Sequence, residues 1–167
     1  ALGPLLAPLA SLEVLSLSNN CLRSLTDWPP LATLTTLNVN FNRLSSLDPL
    51  ACCVQLERLY AASNRVASIA PLAGLARLKT VSLYRNRLAS LDACLDVLAA
   101  LGLLTELDLG ANPCAVGPAY RHQLVGSLPG LAALDGDNLS DLDRELAAAF
   151  FDAADADAAD AAALYGD

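Results

Sequence analysis

The chain has 167 residues, is 54% hydrophobic and 17% charged, and carries a formal net charge of −8 at neutral pH. It contains no run of about 18 apolar residues, so a transmembrane helix and a membrane partner are not expected. The acidity is confined to one end: eight acidic and nine basic residues precede Asp135, whereas from Asp135 onward ten acidic residues face Arg144 alone. A body so close to neutral lacks the cationic face that nucleic acid requires, and no nucleic-acid partner is expected.

Residues 1–11, ALGPLLAPLAS, resemble the second half of a repeat whose strand is missing; LDPLACCVQL from Leu47 and IAPLAGLARL from Ile69 have the same pattern. They are read as the remnant of a truncated upstream repeat, which would make the chain a fragment. Five segments then fit Leu-x-x-Leu-x-Leu-x-x-Asn-x-Leu with aliphatic substitutions, starting at Leu12, Leu34, Leu56, Leu78 and Leu104. The first three steps are 22 residues and the fourth is 26. A period in this range signals a solenoid. Within each segment, positions four and six (Leu15 and Leu17, or Leu37 and Val39) share one side of a short strand and point inward, while positions three, five and seven face out. The Asn at position nine (Asn20, Asn42, Asn64, Asn86 and Asn112) follows the strand where the chain turns, and stacked units should align these amides into a structural ladder. Ala61 at a core position predicts a locally thin core, and Cys114 after the last Asn is a near-isosteric apolar swap.

Between strands, Asp48-Pro49 and Ala70-Pro71 place proline at a first helical position, where its missing N–H does no harm. Trp28, before Pro29-Pro30, reads as a packing residue. The fourth unit is longer, and its LDACLDVLAALGLL predicts a true helix with Asp92 as N-cap and Leu95, Leu98 and Leu101 on one flank. From Ser140 the chain again reads as helix: Ser140 is the N-cap, Asp141, Asp143 and Glu145 lie at the positive end of the dipole, and alanine dominates. Leu142, Leu146 and Phe150 form a stripe, broadened by Phe151, that should cover the body. The Ala/Asp stretch after Phe151 reads as a solvated or frayed helix, or as an acidic arm for a basic partner.

The repeats, together with Asn112-Pro113, Tyr120-Arg121, Leu128-Pro129 and Leu134-Asp135-Gly136, resemble short leucine-rich repeat proteins of the type found in axonemal dynein light chain one and the phosphatase-1 regulatory subunit. The resemblance runs from Leu12 to Gly136. It implies an α/β solenoid over 12–136, with a parallel concave sheet, turns and short helices on the convex side, and a C-terminal cap that includes Pro113, Tyr120, Arg121, Leu128, Pro129 and Leu134. Residues 137–167 would be an acidic helical extension. The longer penultimate unit is similar to that of flagellar members. What this implies is a non-catalytic protein-binding subunit of a ciliary or flagellar axonemal complex, dynein-associated and cytoplasmic. The alternative is a cytosolic regulatory subunit that binds an enzyme such as a phosphatase through its concave face. A third class is a spliceosomal or tubulin-folding module.

The protein-binding site should lie on the concave sheet. Positions three, five, seven and eight of the middle units give Phe41, Arg58, Tyr60, Tyr84 and Arg85, an aromatic and cationic patch of the kind enriched at interface hot spots. Glu106 and Asp108 extend it, and Arg43, Arg65 and Arg87 follow the Asn residues. Catalysis is not expected: His122 is the single histidine and reads as a surface residue, no phosphate loop occurs, and the Glu106–Asp108 pair has no cleft. The five cysteines show no Cys-x-x-Cys and read as small, buried or half-buried apolar residues in a reducing compartment, without zinc. No cofactor, metal or small-molecule substrate is expected.

Overall fold

Each template segment forms a three-residue strand, and in the computed structural model, which describes residues 3–165 apart from 7 and 10, those strands stack side by side. They are β1 (Val14–Ser16), β2 (Thr36–Asn38), β3 (Arg58–Tyr60), β4 (Thr80–Ser82) and β5 (Glu106–Asp108). All pair in parallel, template position to template position, so Leu15, Leu37, Leu59, Val81 and Leu107 form one inward row. β6 (Ala133–Leu134) continues the parallel array, and β7 (Asp137–Asn138) returns antiparallel to complete a seven-stranded sheet in sequence order. Backbone bonding runs past the strand ends: the Val39 and Phe41 N–H groups donate to the Tyr60 and Ala62 carbonyls.

The core is a stack of leucine layers. Leu34, Leu37, Val39 and Leu44 are fully buried, as are Leu56, Leu59 and Leu78 in the following units. Ala61 is fully buried at the position that Val39 and Leu83 fill in the neighbouring units. Burial of this kind requires a unit on each side. The first unit shows the converse, since Leu12, Leu15, Leu17 and Leu22 are only partly buried.

Opposite the sheet, Asp48–Cys52 and Ala70–Leu72 are 3₁₀ turns with Pro49 and Pro71 in their first turns. The Ser46 and Ser68 hydroxyls accept the N–H groups of Asp48 and Ala70. A short helix, α1 (Gly3–Leu6), precedes the first strand. The extra four residues of the fourth unit build α2 (Leu91–Leu98), with Cys94 and Leu98 buried and Leu95 half-buried. Its N-cap is Ser90, not the expected Asp92: the Ser90 hydroxyl accepts the Ala93 N–H, and Asp92 instead adds favourable charge in the first turn. Trp28 packs half-buried on the core and points its indole N–H at the Cys53 sulfur, 3.4 Å away. Cys53, Cys94 and Cys114 are buried, whereas Cys21 and Cys52 are exposed, contrary to the expectation for those two.

The cap consists of α3 (Ala119–Ser127), β6 and β7, with Tyr120, Leu124, Val125, Leu128 and Leu134 buried and Pro113 and Pro129 exposed. α4 (Asp141–Tyr165) lies across α3. It begins with a reciprocal cap, in which the Ser140 hydroxyl accepts the Asp143 N–H and the Asp143 carboxylate accepts the Ser140 N–H. The face it buries differs from the expected stripe. Leu142 and Leu146 are 61% and 49% exposed, while Ala147 is buried. Contact is instead made at 143, 144, 147, 150 and 151: Asp143 pairs with Arg121 at 2.9 Å, the Arg144 guanidinium donates to the Pro129 and Leu131 carbonyls, Phe150 stacks on His122 with ring centroids 5.6 Å apart, and Phe151 lies over Gly126. Small Ala147 and Gly126 permit the close approach; a Cβ at Gly126 would fall 2.3 Å from the Phe151 ring. His122 is thus half-buried beneath α4 and not a free surface residue. Among the described residues no helix is long and apolar enough to cross a membrane.

Candidate protein-binding surface

The surface is set by the turn that ends each strand. At position eight, Asn19, Phe41, Ser63, Arg85 and Ala111 all have φ between 54° and 57°, a left-handed conformation that most side chains disfavour. The Asn that follows holds it. Asn64 donates its amide to the Ala61 and Ala62 carbonyls of its own turn and to the Val39 carbonyl of the preceding unit, while its oxygen accepts the Leu44 N–H. Asn42, Asn86 and Asn112 repeat this arrangement, and all four are buried. Asn20 is the exception. It is exposed and, among the described residues, bonds only to Leu17 and Ser18 of its own turn, whereas the ladder bonds of the others run from each Asn to the unit before it.

With the strand ends fixed, two rows of side chains face out. Thr36, Arg58, Thr80 and Glu106 form one; Asn38, Tyr60, Ser82 and Asp108 form the other. Above β3 to β6 the sheet encloses an open groove of ≈ 350 Å³ whose lining includes Tyr60, Ser82, Glu106, Asp108 and Gly136. The Tyr84 ring lies over Gly110 of the next unit, so close that a Cβ at Gly110 would sit 3.2 Å from it. Of the expected site residues the groove brings Tyr60, Glu106 and Asp108 together, and the Tyr84 ring lies outside its lining, over Gly110. Arg58 stands beside them in the neighbouring row. Phe41 and Arg85 are exposed in the left-handed turns beyond the strands, and neither lines the groove.

The electrostatics of this end are carried by carboxylates. Asp108 Oδ1 accepts the Gly110 N–H at 3.1 Å and Oδ2 accepts the Ser82 hydroxyl at 3.4 Å. Glu106 accepts the Thr80 hydroxyl at 3.1 Å. Burial pushes the Asp108 carboxyl above its ordinary range; the Gly110 N–H opposes this, and the Asp135 charge adds to it. Asp135 was not an expected site residue. It follows Leu134 as Asp108 follows Leu107, and the matched Leu-Asp pairs 107–108 and 134–135 were the available signal. It accepts the Leu109 N–H and the Tyr120 hydroxyl, and burial together with that carboxylate drives the Tyr120 phenol strongly upward. On the far side of the cap, hydrogen bonding to Arg121 holds Asp143 well below the usual carboxylate range. Burial raises the Cys53 thiol to about 11 and the Cys94 thiol to about 12, so both are inert at neutral pH.

Family models of leucine-rich repeats match the chain over residues 32–74, as two copies, and over residues 11–32. Comparison with curated proteins finds no match. Among solved structures, the chain is similar to an internalin (InlF) from Listeria monocytogenes, at 25% identity and a TM-score of 0.69, over 80% of this chain and 37% of that one. It is similar to a chain of the Drosophila melanogaster SNF/U2A′ complex, at 28% identity and a TM-score of 0.56, over 87% of this chain and 71% of that one. A leucine-rich repeat protein from Leptospira interrogans matches at 29% identity and a TM-score of 0.63, over 78% of this chain and 32% of that one. The chain thus spans little more than a third of the internalin's length. Repeat spacing, parallel register and these likenesses agree that the chain carries leucine-rich repeats and has the leucine-rich repeat fold.

Proposed function

We propose that the chain is a non-catalytic protein-binding module that receives its partner on the concave sheet, and that it serves as a structural or regulatory subunit of a ciliary or flagellar axonemal assembly. The observation that carries the binding reading is the pair of in-register outward rows displayed on strands whose inward residues are fully buried from β2 to β4. Such a surface is preorganised, so little conformational freedom is lost when a partner docks. The likeness to a chain of the SNF/U2A′ complex supports assembly with another protein. The axonemal part, with a cytoplasmic location inside the cilium, rests on the resemblance of the lengthened fourth unit to that of axonemal dynein light chain one and its flagellar relatives. A regulatory subunit that binds an enzyme such as a phosphatase is the second reading, favoured by the groove at the cap end of the same face.

The test is retention of the tagged chain in salt-washed axonemes, before and after Tyr60→Ala and Tyr84→Ala. Retention that falls with each substitution, by ~1–2 kcal/mol or more in affinity, supports the proposal. Recovery with a soluble enzyme and not with the axoneme favours the second reading. Retention that survives both substitutions but fails when residues 92–101 are altered would move the interface to the convex side.

A further inference from the structure

Position five of the repeat does the same structural job in two units with different residues. In β2, Asn38 Oδ1 accepts the Asn40 N–H at 3.0 Å; in β5, Asp108 Oδ1 accepts the Gly110 N–H at 3.1 Å. Asn38 makes this bond without a charge, and Tyr60 stands at the same position of β3, where the Ala62 N–H is accepted by Asn40 instead, so the turn requires no charge there. The charge of Asp108 is therefore unused by the fold. No cation balances it either: the ion pairs among the described residues are Lys79–Glu57 and Arg121–Asp143, and Glu106 in the same groove is equally unpaired.

Resting on the concave-face reading above, we infer that the groove over β3 to β6 docks a basic segment of a protein partner, with a lysine or arginine side chain placed between Glu106 and Asp108 and against the Tyr60 ring. The groove's walls carry carboxylates and an aromatic ring, the combination that accepts a cation, and its far side is kept open by Ala133 and Gly136. The sheet face changes sign along one row, from Arg58 through Thr80 to Glu106, so an acidic segment would be drawn toward Arg58 and a basic one toward the groove. The half-buried Asp108 anion, held against its own desolvation and beside Asp135, is relieved by an incoming cation.

The experiment uses the full chain labelled for amide NMR at low salt, titrated with a short synthetic peptide rich in arginine and lysine and, separately, with its glutamate counterpart. The acidic segment after Phe151 acts as a control within the same molecule, since it attracts the basic peptide without any groove. The inference expects the basic peptide to shift the Ser82, Gly110 and Gly136 amides as well as those of α4. Glu106→Gln with Asp108→Asn should abolish the groove shifts and keep the α4 shifts, and Ser82→Lys, which places a cation in the groove, should do the same. Shifts confined to α4 would overturn the inference. So would groove shifts that survive both sets of substitutions. Shifts around Arg58 with the glutamate peptide alone would overturn it too, while leaving the concave face as the binding surface.

Discussion

The first and the last template units of the described residues are built from one template and have different physical properties. At the cap end Leu107, Leu109 and Leu134 are buried, and Asn112 bonds to its own turn and to the unit before it. In the first unit Leu15 and Leu17 are half-buried, Val14 is 63% exposed and, among the described residues, Asn20 bonds only within its turn. The motif specifies the strand and the turn; the neighbouring unit supplies most of the energy that holds them. A residue's importance in this chain therefore depends on which side of it another unit is stacked.

The largest expected effect separates equivalent leucines. Leu107→Ala should destabilise by about 2–5 kcal/mol, as a buried large-to-small change, and Leu15→Ala by clearly less because its side chain already meets water. Denaturant unfolding measures both, and equal losses would break the comparison. Next in size is the ladder. Asn112→Ala leaves buried backbone groups unpaired and should lose roughly 1–3 kcal/mol, while Asn20→Ala should stay within about 0.5 kcal/mol.

The seal of the cap end is sharpened by Gly126→Ala. Its new Cβ must displace the Phe151 ring, so α4 should loosen by about 1 kcal/mol or more, read as faster proteolysis within α4 while the repeats keep their protection. Truncation after Phe151 should leave both intact, since the described contacts to α3 lie at 143, 147, 150 and 151.

The smallest effect has the opposite sign. Because burial holds the Asp108 carboxyl above its ordinary 3.8, the folded chain favours the neutral acid. Its contribution to stability is then greatest below that ordinary value and is lost as pH rises through the raised one. Asp108→Asn should match the unaltered chain in acid and melt higher at neutral pH. A lower neutral melting temperature would mean that the charge serves the fold after all.

Most of the architecture was legible because the template is strict: strand positions, inward and outward faces, the Pro-led turns and the extra helix all follow from spacing. The misreadings share a physical cause. Leu142 and Leu146 fit the buried stripe of α4 by hydrophobicity, but close approach of two helices is set by what is small: Ala147 is the buried residue of α4, and Gly126 leaves room for the Phe151 ring. Asn20 satisfies the motif yet lies outside the ladder, because membership depends on a unit that the motif itself does not contain. Ser90 displaced Asp92 as the helix cap by two residues, within the usual latitude of such boundaries. On the concave face, alternation placed Tyr60, Glu106 and Asp108 outward, as the strands do. It gave no sign that Phe41 and Arg85 sit in left-handed turns, or that Asp135 lies beside Asp108, since that pairing is made by the cap.

The central claim is that the concave face is where a partner binds. Site-specific incorporation of a photo-reactive phenylalanine at Tyr84, and in a separate chain at exposed Val54 on the turn before β3, tests it most directly in native extract. The account expects a discrete crosslinked product from position 84 that is absent from position 54. A product from position 54 with none from 84 would contradict it.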